Sequence, residues 1–159
     1  MIRFVLLGFI TAGLMAPAAD STKPSSNIER GRYVIAIAGC NDCHTDGYAQ
    51  TGGKVPQEQL LTGSVVGFSG PWGTTYPTNL RLMLSELSEA EWLVQARQSA
   101  RPPMPSISLH AMTDADLQAI YAYITSLGPA GAKEPSYVPP SGEVTTPYFD
   151  FVPKNLPAH

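Results

Sequence analysis

The sequence C-N-D-C-H at residues 40–44 decides the fold of this chain. Its C-x-x-C-H spacing is the pattern for covalent attachment of a c-type haem. Two thiols about one helical turn apart can each form a thioether with one haem vinyl group, and the residue that follows is then held beneath the iron. The pattern therefore predicts haem links at Cys40 and Cys43, with His44 as an axial ligand.

Other interpretations of the two cysteines need partners that the sequence does not readily supply. A zinc site would need His44 and a distant histidine such as His110, because the chain has only 2 cysteines. A thioredoxin-like dithiol needs a βαβ context, and the flanks of this motif favour helix. A disulfide at this spacing would be strained. Haem attachment is therefore the favoured interpretation.

Length and composition point to one small, loop-rich domain. The chain has 159 residues, 15 prolines and 14 glycines, which favours much ordered loop. Hydrophobic residues make up 43%, so a packed core is possible, and a haem would add to it. The formal net charge of -3 argues against nucleic-acid binding, which needs a basic surface.

Residues 1–19 are predicted to be a secretory signal peptide. Arg3 precedes an apolar stretch at residues 4–15, and the A-P-A sequence at residues 16–18 offers a cleavage site. An uncleaved membrane anchor is the alternative, although the apolar stretch is shorter than the roughly 20 residues that span a bilayer. Export to the periplasm agrees with haem attachment, which takes place outside the bacterial cytoplasm. Residues 20–27 are predicted to be a polar linker.

Two helices are predicted to close the domain. The first runs from Ile28 towards Cys40 after an N-cap at Asn27, and Gly31 within it suits the close approach of a second helix. The last helix begins after Thr113, carries an apolar face at helical spacing, and ends at Gly128. We expect the two helices to cross near Gly31.

Residues 45–84 are predicted to be a long loop that packs on the haem. Trp72 and Tyr76 combine apolar bodies with hydrogen-bond donors, and Asn79 adds an amide, which suits contact with haem propionates. The alternative is that they only fill the core and satisfy loop backbone. A backbone carbonyl from this loop, that of Pro71 or Pro77, is expected to hold the second ring nitrogen of His44.

A helix at 88–100, opened by a capping box at Ser88, leads into R-P-P-M-P at residues 101–105. Prolines stiffen this loop, so Met104 is presented with little conformational freedom to lose and can be the sixth iron ligand. Met112 is a rival that also fits an apolar contact before the next helix, and His110 is a weaker one. Arg101 could reach a propionate or be a solvated charge at the helix end.

Residues 129–159 are predicted to form a proline-rich, extended C-terminal arm. After Pro129, six more prolines stand at positions 135, 139, 140, 147, 153 and 157, which leaves no room for a helix or a long strand. Its apolar side chains indicate that the arm lies over the domain or over a partner.

Together these features resemble a class I c-type cytochrome over residues 28–128. The similarity is closest to the haem domains of cytochrome c subunits of bacterial membrane-bound alcohol and sugar dehydrogenases. In those, M-P is followed nine residues later by a helix start of the form S/T-D-x-D, a spacing kept by Met104 and Thr113. The resemblance implies an all-α class I fold with crossed terminal helices around one covalent haem c, carried by Cys40 and Cys43, with His44 and Met104 as axial ligands. This chain shows Asn79-Leu80-Arg81 in place of the usual N-I-T-P-D.

The sequence therefore predicts a single-haem periplasmic electron carrier rather than an enzyme. It would pass electrons between a donor dehydrogenase or redox complex and a respiratory acceptor, such as an oxidase or another cytochrome. It would meet a membrane only if the N-terminal segment is uncleaved. Two alternatives stay open: a haem subunit fixed in a dehydrogenase complex, and an open-site haem enzyme or gas sensor if Met104 is not a stable ligand.

Overall fold

A computed structural model describes residues 23–155. The predicted signal peptide at 1–19 and the first residues of the predicted linker lie outside the described range. Within it, six α-helices, one 3-10 turn at Gln57–Gln59 and three short strands follow one another along the chain. In order, they are α1 Lys23–Ile37, α2 Cys40–His44, β1 Gly67–Gly70, β2 Gly73–Thr75, α3 Leu80–Ser85, α4 Glu89–Ala96, α5 Ser106–Ala111, α6 Asp114–Ser126 and β3 Tyr148–Asp150.

Helices α1 and α6 cross at Gly31, which confirms the predicted closure of the domain. A β-carbon on Gly31 would overlap the backbone oxygen of Ala119 and would lie 2.8 Å from the β-carbon of Tyr123. Only glycine allows the two helix backbones to approach this closely. Arg30 donates to the Asp116 carboxylate at 2.7 Å beside the crossing and so adds an ion pair between the same two helices.

The start of α1 differs from the prediction. The helix begins at Lys23, so Asn27 lies inside it and is not an N-cap, and residues 23–27 are not a linker. Serine and asparagine favour helix starts but do not by themselves fix them, because packing of the following apolar residues decides how far a helix extends. Val34 and Ile35 of α1 are both buried in the core.

The predicted starts of α4 and α6 are confirmed. Ser88 and Glu91 form a complete capping box before α4, and the Thr113 side chain accepts a hydrogen bond from the Asp116 backbone. Helix α4 ends at Ala96 rather than near residue 100. The indole of Trp92 donates to the Leu117 carbonyl at 2.8 Å and ties α4 to α6. One apolar core joins these helices: Val34, Ile35, Leu61, Leu84, Trp92, Ala96, Leu117, Ile120, Tyr123 and Ile124.

The all-α expectation was incomplete, because a three-stranded sheet with the order β2-β1-β3 accompanies the helices. Strands β1 and β2 are antiparallel, whereas β1 and β3 are parallel. The strands have only three or four residues each, and β1 and β2 include glycines, so they show no alternation that a sequence pattern could reveal. Two short helices, α3 and α5, were also missed for lack of length.

The described part of the C-terminal arm lies over the sheet. Val138 exchanges backbone hydrogen bonds with Thr74, and β3 extends the sheet beside β1. Phe149 stacks on Phe68 with ring centroids 5.6 Å apart. Among residues 23–155, no helix is both long and apolar enough to cross a membrane.

Candidate haem-binding site

The cysteine motif folds as the short helix α2, immediately after α1. Gly39, with φ of 66°, provides the left-handed turn between the two helices. Cys40 is half-buried and Cys43 is exposed, and neither forms a disulfide. Burial raises the pKa of the Cys40 thiol to about 11, so its surroundings favour an uncharged sulfur. A thioether to haem carries no charge and therefore fits this environment.

His44 is buried and has one defined hydrogen-bond partner. Its Nδ1 donates to the Thr78 carbonyl oxygen at 2.8 Å. Burial lowers the pKa of His44, while the hydrogen bond to Thr78 and the charge of Glu134 oppose that shift. A neutral imidazole protonated at Nδ1 leaves the Nε2 lone pair available for a metal. This is the state that an axial histidine needs.

The predicted partner of His44 was wrong by one residue. The carbonyl of Pro77 accepts from the Ser64 backbone, and Pro71 lies in the turn between β1 and β2. The carbonyl of Thr78 instead accepts from the imidazole, and Thr78 stands directly before Asn79, the N-cap residue of α3.

Gly63 packs directly against the segment that holds His44, a role that sequence analysis missed. Its N–H donates to the His44 carbonyl at 2.8 Å. A β-carbon on Gly63, whose φ is 80°, would lie 2.8 Å from the Pro77 oxygen and 3.1 Å from the Thr78 carbonyl carbon. In the sequence it stands among many loop glycines, so nothing singles it out.

The loop at residues 101–105, which carries Met104, is hydrogen-bonded to the segment at residues 75–78, which also binds His44. Met104 is half-buried between α4 and α5, and the Thr75 hydroxyl donates to the Pro102 carbonyl at 2.8 Å. Thr75 and Thr78 are three residues apart, hence at most about 11 Å even in extended chain. The two candidate axial residues are therefore anchored at neighbouring positions.

The two alternative candidates for the sixth ligand, Met112 and His110, lie at the end of α5. Met112 is the C-cap residue of α5 and packs against the apolar core. His110 is exposed on α5, where its Nε2 faces the Gln98 carbonyl at 3.4 Å. Within the described residues, no group of three or more His, Cys, Asp or Glu side chains comes together as a metal site.

Two of the four predicted propionate contacts, Trp72 and Arg101, meet at one aromatic residue. The Arg101 guanidinium lies over the Tyr137 ring at 4.2 Å, and the Tyr137 hydroxyl donates to the Trp72 carbonyl at 2.7 Å. The Trp72 indole Nε1 is buried and has no hydrogen-bond acceptor within the described chain. A buried donor without an acceptor is costly, so this nitrogen fits an acceptor that the chain itself does not provide.

The other two predicted contacts are engaged within the chain. The Tyr76 hydroxyl lies 2.6 Å from the Thr146 hydroxyl on the arm. Asn79 departs from its predicted role: both amide hydrogens go to backbone carbonyls, those of Ala130 and Ala132. Its amide oxygen accepts from the Leu82 backbone as the cap of α3. With every donor used, the Asn79 side chain has none left for a propionate.

These residues fit a covalently attached haem. The motif offers two uncharged sulfurs and a neutral imidazole with a free nitrogen, and Trp72 offers an unmatched donor. A profile of the cytochrome c family matches residues 28–128. The chain belongs to the cytochrome c family. Membership implies covalently bound haem c and makes the chain an electron-transfer protein that is not itself catalytic.

The cytochrome is also similar to components of bacterial dehydrogenases. It is 31% identical over 129 residues to the fructose dehydrogenase cytochrome subunit of Gluconobacter japonicus, covering 74% of this chain and 24% of that one. It is 30% identical over 126 residues to the alcohol dehydrogenase (quinone) cytochrome c subunit of Gluconacetobacter polyoxogenes, with 71% and 24% covered. The match to a nicotinate dehydrogenase subunit of Pseudomonas putida is 28% over 133 residues, with 77% and 10% covered.

The chain thus spans a quarter or less of the length of the curated relatives it matches. No solved structure matches it significantly.

Proposed function

We propose that this cytochrome is an exported carrier with one haem, which moves single electrons between a dehydrogenase and a respiratory acceptor. The observation that carries the proposal is the state of His44. It follows Cys43 directly, it is buried, and its Nδ1 is fixed by the Thr78 carbonyl. An iron ligand with this orientation and tautomer needs no rearrangement to bind.

The residues around the motif have separate tasks in this proposal. Cys40 and Cys43 fix the macrocycle through thioethers, and His44 supplies one axial nitrogen. Met104 supplies the second axial atom, which its stiff loop and the anchor from Thr75 to Pro102 support. Haem with both axial positions filled supplies reversible one-electron chemistry between ferrous and ferric iron.

Propionate contacts are proposed for Trp72, Arg101 and Tyr76. The unmatched indole donor supports Trp72. Arg101 brings a positive charge near the same tryptophan through Tyr137. The Tyr76 hydroxyl can donate to a propionate while it accepts from the Thr146 hydroxyl. Hydrogen bonds to charged groups are worth about 1.5–3 kcal/mol each, so one such donor matters for a small domain.

A second candidate is a haem subunit held in a dehydrogenase complex. The cytochrome subunits among its relatives favour it. Gel filtration of the native protein at physiological ionic strength separates the two candidates. A free carrier elutes at its own mass, because redox encounters use small interfaces, whereas a subunit elutes with its dehydrogenase.

The reduced absorption spectrum with and without carbon monoxide tests the proposal. We expect a haem c spectrum that the gas leaves unchanged, because the protein fills both axial positions. Met104→Ala should open the site and let the gas bind, whereas the matched variant Met112→Ala should stay closed. Gas binding by the wild type, or a response of Met112→Ala alone, would favour an open-site haem protein or a different ligand.

A further inference from the structure

One peptide group, that between Thr78 and Asn79, connects the imidazole of His44 with a carboxylate on the C-terminal arm. Its carbonyl accepts from His44 Nδ1 at 2.8 Å. Its N–H, on the opposite edge, donates to Glu134 Oε2 at 3.0 Å. The order is therefore carboxylate, peptide, imidazole, with a hydrogen bond at each step.

The arm is built to hold Glu134 in this position. The carbonyls of Ala130 and Ala132 accept both amide hydrogens of Asn79, at 2.8 and 3.1 Å. Gly131 between them has φ of 75°, and a β-carbon there would lie 2.9 Å from the β-carbon of Thr62. Asn79 itself is 1% exposed. The arm is thus fixed to Asn79 at three points, of which Glu134 is the last.

The Glu134 carboxylate meets the Asn79 N–H rather than a cationic side chain. None of the ion pairs found among residues 23–155 includes it, and the residue is partly buried. A hydrogen bond to an ionised acceptor is shorter and roughly twice as strong as one between neutral groups. Hydrogen bonds in series polarise one another, so the charge makes the Thr78 carbonyl a stronger acceptor.

We propose that Glu134 is a positioning residue that acts through the Thr78–Asn79 peptide to strengthen the His44 hydrogen bond and lower the reduction potential of the iron. The inference rests on the proposed role of His44 as an axial ligand. A carboxylate that accepts directly from a metal-bound histidine raises the basicity of that ligand. Here the peptide stands between the two groups, and a more basic histidine together with a nearby negative charge favours ferric iron.

The test compares Glu134→Gln with Glu143→Gln in the haem-loaded protein. Glutamine keeps an acceptor for the Asn79 N–H but removes the charge. Glu143 is exposed on the same arm, so its variant makes the same change in net charge. At a fixed applied potential we expect Glu134→Gln to raise the ferrous-to-ferric ratio at least threefold. For a one-electron couple, in which a tenfold ratio corresponds to about 59 mV, this is a rise of about 28 mV in the reduction potential. Glu143→Gln should change it by less than half as much.

Nuclear magnetic resonance of the same variants separates the relay from a general charge effect. Glu134→Gln should shift both the Asn79 amide proton and the His44 Nδ1 proton, and Glu143→Gln neither. Equal potentials for the two variants, or a shifted potential with an unmoved Nδ1 proton, would overturn the relay while the wild type still shows a haem c spectrum. A wild type without that spectrum would overturn the proposed function as well.

Discussion

Gly63→Ala should destabilise the protein, because the added methyl group would collide with the backbone at residues 77–79, which binds His44. Gly63 has φ of 80°, and a β-carbon there would lie 2.8 Å from the Pro77 oxygen and 2.9 Å from the Asn79 nitrogen. The left-handed conformation costs a non-glycine residue about 1–2 kcal/mol. Overpacking against atoms that cannot rotate away adds about 1–3 kcal/mol. We therefore expect the free energy of unfolding to fall by about 2–5 kcal/mol.

The matched control is Gly47→Ala. Gly47 has φ of 71°, but a β-carbon there would meet nothing within 4 Å. It therefore shares the conformational cost and lacks the steric one, with an expected loss of about 1–2 kcal/mol. Urea unfolding of the haem-loaded variants, analysed by linear extrapolation, gives both values. Equal losses for the two variants would refute the close packing of Gly63 on the Thr78 segment.

Three further predictions concern other parts of the molecule. Gly31→Ala should lower the free energy of unfolding by roughly 1–3 kcal/mol, because overlap with Ala119 outweighs the gain in helix propensity; a more stable variant in urea unfolding would contradict the crossing. Trp72→Phe should cost the haem-loaded protein about 1.5–3 kcal/mol if Nε1 meets a propionate, whereas unchanged or higher stability would mean that the donor has no partner. The hydrogen bond from Arg30 lowers the pKa of Asp116, so its stabilisation is present above the ordinary aspartate pKa and is lost as the pH falls through the lowered folded value. Asp116→Asn should therefore cost at most about 1 kcal/mol at pH 7 and progressively less as the pH falls below the ordinary aspartate pKa, and a pH-independent difference in unfolding would refute this account.

Much of the helical frame could be predicted because local signals and packing agree. Ser88 and Thr113 cap their helices through side chains that the sequence shows directly. The apolar face of α6 has the period of a helix, and Gly31 is explained once a second helix is expected to cross there. The C-x-x-C-H motif carries its chemistry in five consecutive residues, so its function could be inferred without a fold.

The rest depends on which groups the folded chain brings together. Asn79 has the right chemistry for a propionate, but the fold uses its amide to fasten the arm. Which carbonyl accepts from His44 is decided by the turn before α3, and every residue carries a carbonyl. Glu134 lies 90 residues beyond His44 in sequence, in a segment without periodicity. Nothing in the sequence near either residue indicates that both side chains form hydrogen bonds with the same peptide group, that between Thr78 and Asn79.

Every role proposed for this protein depends on one haem attached through the cysteines at residues 40 and 43. The direct test is intact-mass spectrometry under acid denaturation. The protein is first produced and exported in a host that also expresses haem-attachment machinery. We predict the mass of the exported chain, with or without residues 1–19, plus one haem that denaturation does not remove, and a loss of that stable attachment when both cysteines are replaced by alanine. The mass of the unmodified chain, or a haem that dissociates in acid from the wild type, would contradict the account.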